Sequence, residues 1–345
     1  MSSSFPEARD NPATFPALTD SHGRTIHDLR VSITDRCNYK CVYCRTGHEG
    51  AQYPELTNDE YLRLIRLFVD LGIRKVRITG GEPLLRRDVI ELIQELAKFR
   101  TTEGGELDLA LTTNGHLLAP IAGSLRAAGL NRVTVSMDAI DAATFERITR
   151  VKGSYPAVLA GIRAARDAGL TPLKINCVLL RGFNDDQIEG FARFAREENV
   201  VVRFIEFMPL EEGRLWSPEM VVPLGEIVER LGKSLPLVEL LLREASETAR
   251  RYTFADGVGE MGIIAPVSQA FCGACSRVRL TSDGKIRTCL FSQVEHDLYG
   301  RLRAGDRDAE LRAYIARTVQ GKEARHHIGE PGFLRPSRSM VHIGG

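Results

Sequence analysis

The polar and apolar positions of this chain fall into short blocks, and the blocks come in pairs. From Leu29 an apolar-rich run, Leu29-Arg30-Val31-Ser32-Ile33-Thr34, reads as a β-strand. Thr57-Asn58-Asp59-Glu60 then carries a capping-box signature, Thr first and Glu three residues later. Leu62, Ile65, Leu67, Phe68 and Leu71 give the helix it opens a buried face, and Gly72 ends it. The beat repeats. Arg74–Thr79 predicts a strand, followed by Gly80-Gly81-Glu82-Pro83 and a helix over roughly 87–99. Leu107–Thr112 leads into Thr113-Asn114-Gly115 and a helix, and Arg132–Met137 into Asp138 and helices to about Ala168. Pro172–Leu180 precedes a helix to Glu198, and Val200–Phe207 is the sixth strand.

Strands that each lead into a helix imply a parallel sheet with right-handed crossovers. Six βα units are two short of a closed eight-stranded barrel. The expected fold is therefore α/β, a partial TIM-like barrel over residues 21–209, with its site at the carboxyl ends of the strands. A doubly wound open sheet shares that layout. Polar motifs gather where the site should be: Cys37–Cys44, Gly80–Glu82, Thr112–Asn114, Ser136–Asp138 and Glu206–Met208 all sit at or just past a strand end.

Beyond Pro209 the rhythm stops, and residues 210–345 form a C-terminal region of different pattern. A variable connection over 210–260 holds a helix near Leu224–Leu231 and charged strands. Then comes Cys272-Gly273-Ala274-Cys275, with Cys289 fourteen residues after Cys275. Asp283-Gly284, flanked by alternating residues, is a strong hairpin signal. Pairing Ser282 with Lys285 puts Cys289 opposite Val278, within reach of Cys272 and Cys275.

Composition narrows the classes. The chain has 345 residues, long enough for a large core, and its 46 Lys+Arg against 45 Asp+Glu leave a net charge of +1. No global field draws it to nucleic acid or membrane, and no apolar run approaches the ~18 residues of a spanning helix. Residues 1–20 are rich in Ser, Pro and Ala without an apolar stretch, which reads as a disordered lead-in rather than a secretory signal. Seven cysteines fall as three, one and three. That pattern favours metal or cluster ligation in a reducing cytoplasm over disulfides.

The chemistry starts from Cys37-Asn38-Tyr39-Lys40-Cys41-Val42-Tyr43-Cys44. Three thiolates on one short loop can converge on a single inorganic centre, and no fourth cysteine lies nearby. A [4Fe–4S] cluster held by three cysteines leaves one iron open for a small molecule. The alternatives are a zinc ion completed by a distant His, or three inert buried thiols. Cys272, Cys275 and Cys289 by themselves suit a zinc ribbon, with His296 or a remote His as fourth ligand, as well as an iron–sulfur site. Coexistence with the first triad favours iron. Cys177 has no partner and reads as core, and His326-His327 read as surface residues.

Taken together, these residues resemble the radical S-adenosylmethionine (SAM) enzymes, and specifically the GTP 3′,8-cyclase family of molybdenum-cofactor biosynthesis. The resemblance runs from about Leu29 to Gly345. It is carried by Thr34-Asp35-Arg36-Cys37 with its triad, Arg77–Arg86, Leu111–Gly115, Val135–Ala139, Arg203–Met208, the Cys272–Cys289 group and the Gly344-Gly345 end. It implies two [4Fe–4S] clusters facing one cavity. Cys37, Cys41 and Cys44 would hold the SAM cluster, and Cys272, Cys275 and Cys289 the second, which would take the guanine of GTP. Tyr43, Gly81, Ser136 and Met208 would place SAM. Arg30, Lys75, Arg77, Thr112, Lys174, Arg203, Arg277 and Arg279 would bind GTP. Alternation agrees in part, since Lys75 and Arg77 share one face of their strand, as do Arg277 and Arg279.

The implied reaction is conversion of GTP to (8S)-3′,8-cyclo-7,8-dihydro-GTP through a 5′-deoxyadenosyl radical, the first step of molybdenum-cofactor biosynthesis. It also implies a one-electron reductant, a downstream cyclic pyranopterin monophosphate synthase, a cytoplasmic setting, and room for a homodimer. The Gly344-Gly345 tail would insert toward the cavity, with Arg325, Arg335 and Arg338 before it as further cations. One departure is local: Arg45-Thr46-Gly47 stands where the family usually runs Met-Pro. A radical SAM peptide-modifying enzyme and a zinc-ribbon binding module on an α/β scaffold are the competing readings.

Overall fold

Several strands of this chain set an apolar face against a polar one, and the sheet curls with the polar face inward. A computed structural model describes residues 17–44 and 51–344. Strands β1 (Asp28–Ser32), β2 (Lys75–Thr79), β3 (Asp108–Thr113), β4 (Arg132–Ser136), β5 (Lys174–Leu179) and β6 (Val201–Glu206) pair in parallel and in chain order. Helices α1 (Asn58–Asp70), α2 (Val89–Leu96), α3 (Ala122–Ala127), α4 (Ala142–Thr149), α5 (Tyr155–Asp167) and α6 (Ile188–Glu197) run between them. Leu29, Val31, Val76, Ile78, Val133, Ile175 and Phe204 are sealed in one core with Leu64 and Phe68 of α1, Ile93 of α2 and Phe191 of α6. Cys177 is buried in this core, as expected.

Local signals hold in detail. Thr57 Oγ1 accepts from Glu60 N at 3.3 Å, and Glu60 Oε2 accepts from Thr57 N at 2.9 Å, which completes the capping box. Gly72, at φ +97°, takes the left-handed turn that ends α1.

The C-terminal residues complete the same sheet. They form α7 (Leu224–Ser234), β7 (Leu237–Leu240), β8 (Arg250–Phe254), β9 (Glu260–Ile264), β10 (Arg277–Leu280), β11 (Lys285–Arg287), β12 (His296–Asp297), α8 (Leu298–Arg303), α9 (Asp308–Gln320) and α10 (Met340–Ile343). Strand β9 pairs in parallel with β6, and β10 pairs in parallel with β1. The order is β12-β11-β10-β1-β2-β3-β4-β5-β6-β9-β8-β7, so the sheet stays open. The change of pattern at residue 209 is thus a change of topology within one core. Glu206 fixes the junction: its carboxylate accepts from the backbone N–H groups of Leu224, Val267 and Ser268 at 3.0, 2.9 and 2.8 Å.

Two expectations shift. In the hairpin, Arg279 pairs with Arg287 and Leu280 with Ile286, which continues to Cys289 opposite Arg277 rather than Val278. The turn is a three-residue loop, Ser282-Asp283-Gly284, closed by Thr281 N donating to Lys285 O at 2.9 Å. Gly284 at φ +73° supplies the left-handed position that such loops need. The lead-in is also shorter than residues 1–20. Leu18 is buried, and Asp20 pairs with Arg24 at 2.5 Å, since a buried carboxylate needs a partner. Residues 1–16, the Arg45-Thr46-Gly47 departure and Gly345 lie outside the described residues.

Candidate active site

Because the polar face turns inward, the curled sheet encloses a cavity rather than a packed barrel centre. Arg30, Arg77, Thr112, Ser136, Asn176, Arg203, Arg277 and Arg279 line it from the strands. All six cysteines of the two triads line the same cavity, as do Tyr43, Gly81 and Met208. The 228 positions that separate Cys44 from Cys272 (272 − 44) are bridged in space because β10 lies beside β1.

Around the first triad the motif loops knit to one another. Asn114 Nδ2 donates to Asn38 Oδ1 at 2.8 Å, and Asn114 N donates to Glu82 Oε2 at 2.7 Å. Tyr43 Oη donates to Asp138 Oδ2 at 2.6 Å, and Val178 N donates to the other oxygen at 2.8 Å. Burial pushes Asp138 up to about 6 and Glu82 up to about 7, against the hydrogen bonds each accepts. Gly80 and Gly81 have a use that the sequence does not reveal. A Cβ at Gly81 would lie 2.2 Å from Arg36 O, and one at Gly80 would lie 2.4 Å from Thr34 O. The glycines admit the backbone that leads into Cys37.

Each triad lines the cavity with three cysteines, the donor set that an iron–sulfur centre takes. Burial, then Asp138, Cys44 and Cys37, pushes the Cys41 thiol well above its usual range. A cationic metal centre relieves that crowding of sulfur. Burial alone would raise Cys275 too, but the Arg277 guanidinium and the Lys322 ammonium bring it down to about 7, toward the thiolate a metal takes. Arg277 Nη2 lies 3.3 Å from Cys275 Sγ, and its guanidinium sits 5.1 Å from the Phe271 ring centre.

The arginines are buried together. Burial and then mutual repulsion depress Arg77 to about 10 and Arg203 to about 9, and hold Arg279 well below its usual value. Arg77 Nη1 donates to Thr112 and Thr134 hydroxyls at 3.3 Å each, and Arg203 Nε to Asn176 Oδ1 at 3.0 Å. Among the described residues, no carboxylate forms an ion pair with Arg30, Arg77, Arg203, Arg277 or Arg279. Buried cations without anions are costly, so this wall is built for an anionic ligand.

Two expected residues stand apart. Lys75 and Lys174 open their strands, one inward position below Arg77 and below Asn176, and neither lines the cavity. Lys75 Nζ lies 2.7 Å from Glu244 Oε2. Lys174 is pushed down to about 7 by burial and then by Arg203, Arg132 and Arg77.

The three tail cations are occupied elsewhere. Arg325 pairs with Glu330 at 2.9 Å, Arg335 with Glu211 at 3.0 Å, and Arg338 with Asp283 and Glu295 at 2.8 Å each. Gly344 does reach inward: its carbonyl accepts from Arg279, and a Cβ there would lie 2.7 Å from Thr79 Cγ2.

Sequence reasoning missed Asn176, Lys322 and His326 in the cavity wall. Asn176 was legible, two positions on from Lys174 in a period-two strand. Lys322 and His326 follow α9, where no pattern announces a ligand. Lys322 Nζ donates to Arg277 O at 3.0 Å and also to Thr288 O. His326 is half-buried against Phe291, not a surface residue, whereas His327 is exposed.

Comparison with known proteins agrees with this geometry. Residues 31–195 match the Radical SAM superfamily, and residues 200–328 match Molybdenum Cofactor Synthesis C. The chain is 43% identical over 335 residues to a GTP 3′,8-cyclase of Moorella thermoacetica, covering 95% of this chain and 100% of that protein. It is 45% identical over 297 residues to a GTP 3′,8-cyclase of Xanthomonas axonopodis, covering 84% and 87%. Among solved structures, Streptococcus suis SuiB bound to precursor peptide SuiA aligns with a TM-score of 0.61 at 15% identity, over 89% of this chain and 66% of that one. SuiB bound to S-adenosylmethionine aligns with a TM-score of 0.57 at 14% identity, over 83% and 64%. At such identities the likeness is one of fold.

Proposed function

The chain belongs to the GTP 3′,8-cyclase family of radical SAM enzymes, and we propose that its two cysteine triads and its buried arginines divide that family's reaction between them. It is a lyase that converts GTP to (8S)-3′,8-cyclo-7,8-dihydro-GTP, the first step of molybdenum-cofactor biosynthesis. Cys37, Cys41 and Cys44 would hold the SAM cluster, and Cys272, Cys275 and Cys289 would hold a second [4Fe–4S] cluster. When bound, the first cluster with SAM would supply the one-electron radical chemistry of the reaction.

The protein's own residues bind and orient. Tyr43, Gly81, Ser136 and Met208 line the side of the cavity assigned to SAM. Arg30, Arg77, Arg203, Arg277 and Arg279, with Thr112, receive the triphosphate. Arginine's fork suits bidentate contact with phosphate. Lys75 and Lys174 contribute charge from the deeper layer. The observation that carries this reading is the wall of buried, unneutralised arginines in the same lumen as both triads.

A one-electron reductant and a cyclic pyranopterin monophosphate synthase downstream complete the reading, with a cytoplasmic setting and room for a homodimer. No helix among the described residues is long and apolar enough to cross a membrane. The test is anaerobic. Reconstituted protein, a strong reductant, SAM and each nucleoside triphosphate in turn are scored for 5′-deoxyadenosine and cyclised product. Formation stimulated by GTP alone is expected. Equal formation with every nucleotide would overturn the substrate assignment, and zinc in place of iron would overturn the cluster assignment.

A further inference from the structure

His326 and His327 are adjacent in sequence and opposite in role. His327 Nδ1 is engaged by Glu330 at 2.8 Å on the exposed side. His326 faces the other way. It lines the cavity that also holds Cys272, Cys275 and Cys289, and its ring centre lies 5.3 Å from that of Phe291. Both of its ring nitrogens are buried with no hydrogen-bond partner among the described residues. A native protein rarely leaves buried polar atoms unpaired unless a ligand completes them.

The ring is held in place from both sides. Lys322, four residues earlier, is fastened to the backbone carbonyls of Arg277 and Thr288. Ile328, two residues later, is buried in a small core with Leu210, Phe291 and Ile343. A neutral imidazole presents one donor and one acceptor on a rigid ring. The arginines already account for an anionic chain, and the strand hydroxyls at Thr112 and Thr134 are taken by Arg77. What His326 can complete is the uncharged, hydrogen-bonding part of the substrate.

We propose that His326 hydrogen-bonds the guanine base of GTP and positions it, so that this residue helps the site choose among bases. The proposal rests on the cyclase reading above. A purine edge alternates donors and acceptors, and one nitrogen of an imidazole that meets it pairs with one of them. A site that pairs such a group discriminates strongly, because a base that lacks the match leaves buried atoms unpaired.

The experiment uses the reconstituted holoenzyme under anaerobic conditions, with His326→Phe and His326→Gln beside the natural protein. Binding of GTP, inosine triphosphate and inorganic tripolyphosphate is measured, together with iron content. His326→Phe is expected to weaken GTP binding about tenfold to a hundredfold while leaving tripolyphosphate binding and iron content unchanged. His326→Gln, whose amide can replace one ring nitrogen, is expected to recover part of the loss. The ratio of GTP to inosine triphosphate affinity should fall in the Phe variant. Unchanged GTP affinity, or equal weakening of GTP and tripolyphosphate, overturns the proposal. If His326→Phe loses iron, the Gln variant decides alone: partial loss of GTP affinity with normal tripolyphosphate binding supports the contact, and no loss overturns it. Failure of the natural protein to bind GTP would instead sink the cyclase reading.

Discussion

Arg338 donates to both carboxylate oxygens of Asp283, at 2.9 and 2.8 Å, and so ties the end of the chain to the hairpin that leads to Cys289. Both side chains are buried, and Arg338 also stacks 4.0 Å from the Tyr53 ring centre. The clasp holds the tail where the Gly344 carbonyl meets Arg279. Removing Asp283 leaves Arg338 its ion pair with Glu295, so the cost is that of lost charge-assisted hydrogen bonds, about 1.5–3 kcal/mol, rather than of a stranded charge. Asp283→Ala should therefore lower stability by about that amount in denaturant titration. It should also expose the C-terminus to carboxypeptidase. An unchanged midpoint would show that the clasp is dispensable.

Cys289→Ala separates the two metal sites. The expected protein keeps the iron and acid-labile sulfide of the first triad and loses those of the second, read by iron and sulfide analysis after reconstitution. Unaltered iron content would remove Cys289 from the ligand set.

Arg203 tests the anionic wall away from either triad. Its side chain is buried among other cations and bonded to Asn176. Arg203→Met should weaken GTP about tenfold to a hundredfold, through loss of a charge-assisted contact of roughly 1.5–3 kcal/mol. Guanosine binding should not change. Calorimetry with both ligands decides between a phosphate contact and a general loss of structure.

Lys174 predicts a pH dependence with a definite sign. Its folded value is about 7, depressed from the ordinary lysine value of 10.5 by burial first and then by neighbouring arginines. Between those values the unfolded chain keeps a proton that the folded chain has shed, so stability from this residue rises with pH across that window. A bound triphosphate favours the ammonium and reverses the shift. GTP binding should then take up a proton, and affinity should fall from about pH 7.5 to about pH 9. Lys174→Met should flatten that decline. Calorimetry in buffers of different ionisation enthalpy measures the proton count, and zero uptake in the natural protein would contradict the expectation.

Glu244 holds Lys75 at 2.7 Å in a partly exposed pair. Such pairs are worth about 0.2–1 kcal/mol. Glu244→Gln should free the ammonium and tighten GTP by about two- to fivefold. Weaker binding would mean that Glu244 supports the site rather than competing for it.

Most of the strand pattern and both triads were legible because period two and cysteine spacing are local properties. The capping box at Thr57 and the sixth strand's end at Glu206 belong to the same class. The hairpin register was off by one because Asp283-Gly284 suits a two-residue turn, whereas the Thr281 hydroxyl, donating to Asp283 and accepting from Lys285 N, stabilises a three-residue one. The places of β9 beside β6 and of β10 beside β1 were not legible at all. Their partners lie far away in the chain, and no local period encodes a distant neighbour. His326 and Lys322 were missed for the same reason, being brought to the lumen by the packing of the segment after α9.

That β10 pairs with β1 also sets an order of assembly. Asp28 faces Arg277 across a contact that spans 249 positions (277 − 28). While the first two hundred residues emerge from the ribosome, β1 and β6 present bare parallel edges, a state prone to pairing with the wrong chain. Long-range strand pairing of this kind is slow. The lumen can close around its ligands only once the last quarter of the polypeptide has been made, so translation itself delays the moment at which both metal sites share one chamber.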